Sequence, residues 1–315
     1  MVGSVWQHCL FVVALALPAL PGSAVAAPLL YAFGPDAGAV GRDFSALDAA
    51  TGAASGGVTS LGDGSLAFNG GLGFRATDQR FYAIANDSAG QSSLVSFSGS
   101  APASYTVLNS GLGSGFVGGL AVGPDGLYAL NQALDGAVSL YRYAFDGSGG
   151  TLLGGLGFYL AAGLTYNSDD GSLYAIGADA LGVPNMLNQI ARGPGGWTAS
   201  ALFALGDGSL GVNGGLAYDA DADLFYAIGN DASARSRLYS FTSSGAASLS
   251  ALGSDAFGDG FINAGLTLAP DHGHSASEPA TLALLTIAAL AWRLSMRGRL
   301  FNNACTAVPC GDQGD

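Results

Sequence analysis

An all-β fold, a closed ring of five four-stranded sheets, is the class this sequence predicts, and three observations predict it. First, the chain writes one phrase twice. "LGDGSLAFNGGL" at Leu61–Leu72 returns as "LGDGSLGVNGGL" at Leu205–Leu216, 144 residues later, with two positions changed. Second, "GL" recurs before a short apolar run at Leu72, Leu120, Leu164, Leu216 and Leu266, at spacings of 48, 44, 52 and 50. Third, an aromatic residue or Leu followed by Tyr-Ala recurs with tyrosines at Tyr31, Tyr82, Tyr128, Tyr174 and Tyr226. A period near 48 residues, carried by short aromatic and apolar runs between turn residues, is the signature of a five-bladed β-propeller.

The elements follow in order. Each Leu of the "GL" series opens a first strand, and each Tyr-Ala phrase is a second strand. Third strands are "LVSF" at Leu94–Phe97, "LYRY" at Leu140–Tyr143 and "LYSF" at Leu238–Phe241, with weaker forms at Phe44–Leu47 and Met186–Ile190. Fourth strands, such as "GVTSLG" and "ASALFALG", precede the repeated phrase. "GPDG" (Gly123–Gly126), "NSDDGS" (Asn167–Ser172) and "DADAD" (Asp219–Asp223) are hairpin turns between first and second strands. The repeat opens at "LLYAFG", a second strand, and closes at "AGLTLAP" (Ala264–Pro270), a first strand. The far end of the array therefore completes the opening blade, which removes two exposed edges. The repeated phrase links the last strand of one blade to the first of the next, and its glycines serve tight turns and a crowded axis. A β-sandwich is the alternative architecture, but it needs no such complement. A β-helix has a far shorter period.

Composition agrees. Of 315 residues 49% are hydrophobic and 51 are Gly, while only 10% are charged. All ten basic residues are Arg, and Glu278 is the only Glu. A chain rich in Gly and Asp and free of Lys leans away from helices. The net charge of −13 excludes a nucleic-acid partner, because no basic patch meets phosphates.

Both ends read as addresses. Leu10–Leu17 is an apolar run of signal-peptide length, and Ala24-Val25-Ala26 supplies a cleavage pattern, so residues 1–26 form a signal peptide cut after Ala26. The expected order is then a propeller over 27–270, a linker over 271–277, a sorting segment over 278–299 and a tail over 300–315. In the sorting segment Glu278-Pro279-Ala280 precedes an apolar run to Trp292, followed by Arg293, Arg297 and Arg299. This order of acidic-proline motif, hydrophobic helix and basic end resembles the PEP-CTERM sorting signal of exported bacterial proteins. Ser277 stands where that family has its first Pro. The resemblance implies signal peptidase and an exosortase as partners, transient anchoring in the inner membrane, and a final place at the cell surface or in the extracellular matrix. The run Ala280–Trp292 spans about 20 Å as a helix, and snorkelling of Arg293 extends it toward Met296.

Chemistry is sparse. Between Ala27 and Asp271 there is no His, Cys, Lys or Glu, so no Ser-His-Asp or Cys-His pair and no His or Cys metal site forms there. No cofactor is implied. "DADAD" starts like a Ca²⁺ loop, but Leu224 and Asn230 stand where that loop has its Gly and its Glu, and a solvated turn is the better reading. "DHGH" (Asp271–His274) falls in the linker. The candidate ligand-facing residues are Asp63, Asn69, Asp207 and Asn213 of the repeated phrase, whose side chains are also natural turn caps. The expected function is a non-catalytic structural or adhesive surface component. The alternatives are a lectin-like binder of extracellular polysaccharide and, more remotely, a glycoside hydrolase built on two Asp.

Overall fold

The computed structural model describes residues 29–269 except 36–39, 56, 100–103, 213, 232, 234, 244–249 and 253–264. Strands β1 (Leu29–Pro35), β2 (Gly41–Asp48) and β3 (Thr59–Ser60) are followed by β4 (Leu72–Arg75), β5 (Arg80–Asn86), β6 (Gln91–Ser98) and β7 (Thr106–Ser114). Next come β8 (Leu120–Gly123), β9 (Gly126–Gln132), β10 (Ala137–Tyr143) and β11 (Thr151–Tyr159), then β12 (Leu164–Asn167), β13 (Ser172–Ala178), β14 (Pro184–Gly193) and β15 (Gly196–Ala204). The last are β16 (Leu216–Asp219), β17 (Leu224–Asn230), β18 (Ser236–Phe241), β19 (Ser250–Leu252) and β20 (Leu266–Ala269). They form five four-stranded antiparallel sheets, a five-bladed propeller. Every Leu of the "GL" series opens the innermost strand of its blade. The signal peptide with Ala24 and Ala26, the linker, the sorting segment with Glu278, Pro279, Ala280, Arg293, Arg297 and Arg299, and the tail lie outside the described residues. Among the described residues no helix is long and apolar enough to cross a membrane.

The ring closes as the split repeat requires. The opening sheet has the order β20-β1-β2-β3, with Leu29 opposite Ala269 and Ala32 opposite Leu266. The pairing strand is Leu266–Ala269, within the Ala264–Pro270 of the sequence reading.

Burial is deepest on the second strands. Second strands are covered on both faces by the neighbouring blades, which is why "FYAI" and "LYAI" show no polar alternation: β5, β13 and β17 are buried at nearly every position. Fourth strands are largely exposed. Between the first two blades Phe33, Phe44, Phe68, Phe81 and Phe97 pack as one buried cluster. Phe81 and Phe97 stack at 5.3 Å, and Phe225 and Phe241, 144 residues on, stack at 5.4 Å. Each such pair adds about 0.5–1.5 kcal/mol beyond its buried area.

At the axis the backbones converge through one glycine per blade. A methyl on Gly163 would sit 2.8 Å from the Leu216 nitrogen, and one on Gly215 2.8 Å from the Leu266 nitrogen. One on Gly119 would meet the Leu164 nitrogen at 2.5 Å; on Gly265 it would overlap Leu72, and on Gly71 it would overlap Leu120. The five contacts run Gly71, Gly119, Gly163, Gly215, Gly265 and back to Gly71. Four of these glycines also have φ between 117° and 137°, where a side chain is strained.

Two predictions follow from closure and convergence. Gly163→Ala or Gly215→Ala should cost more than about 3 kcal/mol in urea unfolding, combining strain with backbone overlap, whereas Gly155→Ala, with open space around it, should cost less than about 1 kcal/mol. A chain ending at Gly265 should melt on the order of 10 °C or more below one ending at Pro270, because only the first loses β20. Equal melting temperatures would show that the β1–β20 pairing does not hold the ring.

Candidate functional site

The two copies of the repeated phrase are straps over the face where the chain passes from blade to blade. Each is pinned at both ends by matching bonds. The Leu61 amide donates to Arg42 O at 2.9 Å and the Phe68 amide to Gly41 O at 2.6 Å. In the second copy Leu205 donates to Asn185 O at 2.6 Å and Val212 to Pro184 O at 2.7 Å. On the next blade, Ala67 exchanges two backbone bonds with Asn86, and Gly211 two with Asn230. The backbones coincide: φ is 64° at Gly62 and 68° at Gly206, 87° at Gly64 and 83° at Gly208. A strap therefore ties the corner between second and third strands of one blade to the end of the second strand of the next.

Within the straps the predicted residues take different places. Asp63 Oδ1 accepts from the Ser65 amide at 2.9 Å, and Asp207 Oδ1 from the Ser209 amide at 2.9 Å and its hydroxyl at 2.5 Å. Both carboxyls are exposed turn caps, held below the usual carboxylate range chiefly by the Ser65 and Ser209 side chains; Arg42 adds to the effect at Asp63. Asn69 instead enters a buried network: its Oδ1 accepts from Asn86 Nδ2 at 2.6 Å, and Asn86 Oδ1 accepts from Ser92 Oγ at 2.5 Å. Ser236 donates to Asn230 in the same way at 2.5 Å. Asn213 lies outside the described residues. Asp63 and Asp207 belong to separate blade junctions, so the structure does not unite these two in one site.

Along the axis the five innermost strands enclose a cavity of about 140 Å³, flanked by Phe74, Thr165, Tyr166, Tyr218 and Thr267. Each innermost strand is a sheet edge, so its unpaired N–H and C=O groups face inward and the shaft is polar. The glycine ring narrows its strap-side end.

On the opposite face lies a group of carboxylates that the sequence reading treated only as turn residues or, for Asp78, did not single out. The second-strand tyrosines reach back to them. Tyr82 donates to Asp78 at 2.7 Å, Tyr128 to Asp125 at 2.6 Å and Tyr174 to Asp170 at 2.6 Å. Arg142 also donates to Asp125, at 2.7 Å. The Tyr218 hydroxyl lies 2.9 Å from Asp169 and 3.0 Å from Asp223, so it bridges two blades. The signal was present as Asp three or four residues before Tyr82, Tyr128 and Tyr174. Burial, then the carboxylate partner, pushes Tyr82 up to about 12 and raises Tyr128 and Tyr174 as well. Asp125 is lowered, first by the Tyr128 bond. Among the described groups whose ionisation is displaced, carboxyls move down and phenols move up, so neither type approaches neutrality. No three or more His, Cys, Asp or Glu converge as a metal site among the described residues.

No protein-family model matches the sequence, and no curated protein matches it. Among solved structures, the chain is similar to one in a nidogen/laminin complex, at 18% identity over 67% of this chain and 73% of that one, with a TM-score of 0.45. It is similar to TolB from Acinetobacter baumannii at 11% identity over 72% of this chain and 53% of that one, about half its length, with a TM-score of 0.48. It is similar to the SapL1 lectin, solved with alpha methyl fucoside, at 12% identity over 59% of this chain and 63% of that one, with a TM-score of 0.39.

The displaced ionisations fix a pH window. A carboxyl lowered in the folded state, such as Asp48, Asp63, Asp125, Asp179 or Asp207, stabilises the fold above its unfolded pKa near ~3.9, and that contribution is lost as pH falls through the lower folded value. The raised phenols stabilise it below their unfolded pKa near ~10 and lose this as pH rises through the folded value. The melting temperature should therefore be level from roughly pH 5 to 9 and fall on both sides. A fall centred between pH 6 and 7 would contradict these assignments.

Proposed function

We propose that this chain is an exported component of a bacterial cell surface or extracellular matrix whose propeller is a rigid, non-catalytic scaffold, sorted by signal peptidase and an exosortase. The observation that carries the non-catalytic part is the ionisation pattern. A general acid or base works best with a pKa near the operating pH. Here the displaced carboxyls are moved away from neutrality by the bonds that hold turns and blades together, and the phenols by burial and then by their carboxylate partners. Asp125 stands beside Tyr128 and Arg142, whose bonds favour its ionised form, the wrong state for the protonated acid of a two-Asp hydrolase.

The position of the two ends of the described ring supports the sorting part. Leu29 and Ala269 are paired, on the face opposite the straps. A chain held at that point presents the straps outward.

A second reading, a binder of extracellular polysaccharide, has one observation in its favour. Tyr159, at the strap-side end of β11, is 56% exposed, and next to it Leu160 is 38% exposed with φ of 54°. An exposed aromatic beside a strained residue is a surface suited to stacking on a sugar ring.

Mass spectrometry of surface material tests the sorting route: the mature chain should begin at Ala27 and end near Glu278-Pro279. Intact peptides spanning Glu278–Arg293 in mature protein would refute the second cut. Polysaccharide pull-down with Tyr159→Ala separates the two roles. A scaffold gives no specific retention with either protein, whereas a binder is retained and loses at least about tenfold in affinity on removal of the ring.

A further inference from the structure

The straps share a backbone, and they differ in the side chain beneath it. Arg42 and Asn185 hold the same place. Each amide donates to the residue two before it, Arg42 to Val40 at 2.8 Å and Asn185 to Val183 at 2.9 Å, and each carbonyl accepts the first strap amide. Both side chains also run under the second strap glycine. A methyl on Gly64 would lie 3.7 Å from Arg42 Cζ, and one on Gly208 3.9 Å from Asn185 Nδ2. Under the first strap, the Arg42 guanidinium donates to Gly62 O at 2.8 Å and places a positive charge beside Asp63. A cation is thus built into that strap.

The second strap has no such charge from this position. Asn185 is 1% exposed. Its Nδ2 donates to Asp179 Oδ2 at 3.1 Å, and its Oδ1 has no hydrogen-bond partner. A buried amide oxygen without a donor is rare in native proteins and calls for a water or an ion. Its surroundings are rich in acceptors. The Asp179 carboxylate meets the nitrogen of the same amide, Asp207 adjoins Gly208 on the strap, and the φ of Gly206 matches that of Gly62, whose carbonyl Arg42 serves. Asn185 is buried, which excludes a long basic side chain from a partner. Carboxylate, amide and backbone oxygens, with no His or Cys in this part of the chain, select a hard cation.

We propose that the second strap binds one divalent metal cation of the Ca²⁺ type, held by Asn185 Oδ1, Asp179 and the strap Leu205–Val212, and that this ion does for the second strap what the Arg42 guanidinium does for the first. The repeat is then one device used twice, once with an internal cation and once with an external one. The inference stands apart from the sorting route and from any polysaccharide.

The test is calorimetric titration of Ca²⁺ into the EDTA-stripped full chain, together with melting in EDTA and in millimolar Ca²⁺. One ion per chain should bind, and Ca²⁺ should raise the melting temperature. Asn185→Ala should weaken binding at least about tenfold, since it removes the buried oxygen. Asn185→Arg should abolish both the binding and the Ca²⁺ response, because it restores the side chain of the first strap. Should Asn185→Arg fail to fold, Asn185→Ala decides alone. A chain whose melting ignores Ca²⁺, Mg²⁺ and Mn²⁺ would overturn the proposal and assign Asn185 Oδ1 to a water. Binding that Asn185→Ala leaves unchanged would overturn it equally, by placing the ion elsewhere.

Discussion

Everything in this molecule is arranged around the contact of five glycines at the axis. Each brings one backbone within van der Waals distance of the next, and the fifth returns to the first. That contact sets how close the innermost strands stand, and so the bore of the shaft they enclose. It also places the row of "GL" leucines where each buries against its neighbours: Leu72, Leu120, Leu164, Leu216 and Leu266 are at most 2% exposed. A β-carbon at any of the five positions would push one blade outward, and in a closed ring that displacement has to be shared by the rest. Such a ring tolerates variation in its outer strands, which range from the two residues of β3 to the nine of β7, β11 and β15.

This constraint explains what was legible in the sequence. The glycines and the Tyr-Ala phrases are dictated by local steric and burial demands that repeat in every blade, so they surface as periodic text. The tyrosine is fixed because its ring is buried between blades while its hydroxyl reaches the preceding turn, as in Tyr82, Tyr128 and Tyr174. The closing strand was legible because an array beginning on a second strand must borrow its first. The candidate site was read less well. Asp63 and Asp207 were identified by repetition, yet repetition marks whatever the fold needs twice, and the fold needs turn caps. The difference between Arg42 and Asn185 was invisible, since nothing in the sequence says which corner of the preceding blade lies under a strap some twenty residues later. That information exists only in the pairing of Leu61 with Arg42 and of Leu205 with Asn185.

The two faces of the ring are stabilised by different means. On the turn face, phenols and carboxylates form short bonds, with Arg75 and Arg142 reinforcing Asp78 and Asp125 at 3.1 and 2.7 Å. These pairs are partly exposed, so the ionic component of each is modest. Their weight comes from satisfying a buried phenol. On the strap face the bonds are mostly backbone bonds, supplemented by the Asn69–Asn86–Ser92 network. Straps occur at only two of the described junctions; the chain crosses from β7 to β8 over Gly115–Gly119 and from β11 to β12 over Leu160–Gly163. The ring is therefore five-fold in its core and irregular on its strap face.

That irregularity has an electrostatic side. The stretch Leu29–Ala269 carries nineteen Asp against seven Arg and no Lys, so positive charge is scarce and its placement selective. Arg42 supports a strap, Arg75 lies 3.7 Å over the Phe145 ring as well as beside Asp78, Arg80 binds Ser96 at 2.8 Å, and Arg235 caps Asp231 at 3.3 Å. Arginine suits these roles because its planar fork serves a carbonyl, a carboxylate or an aromatic face without losing its charge. In a chain so acidic, a position that trades Arg for Asn beneath an otherwise identical loop changes the local balance by a full charge, in a place where burial weakens screening by salt. The straps are thus alike in backbone and unlike in charge, and it is in charge that the second copy of the phrase departs from the first.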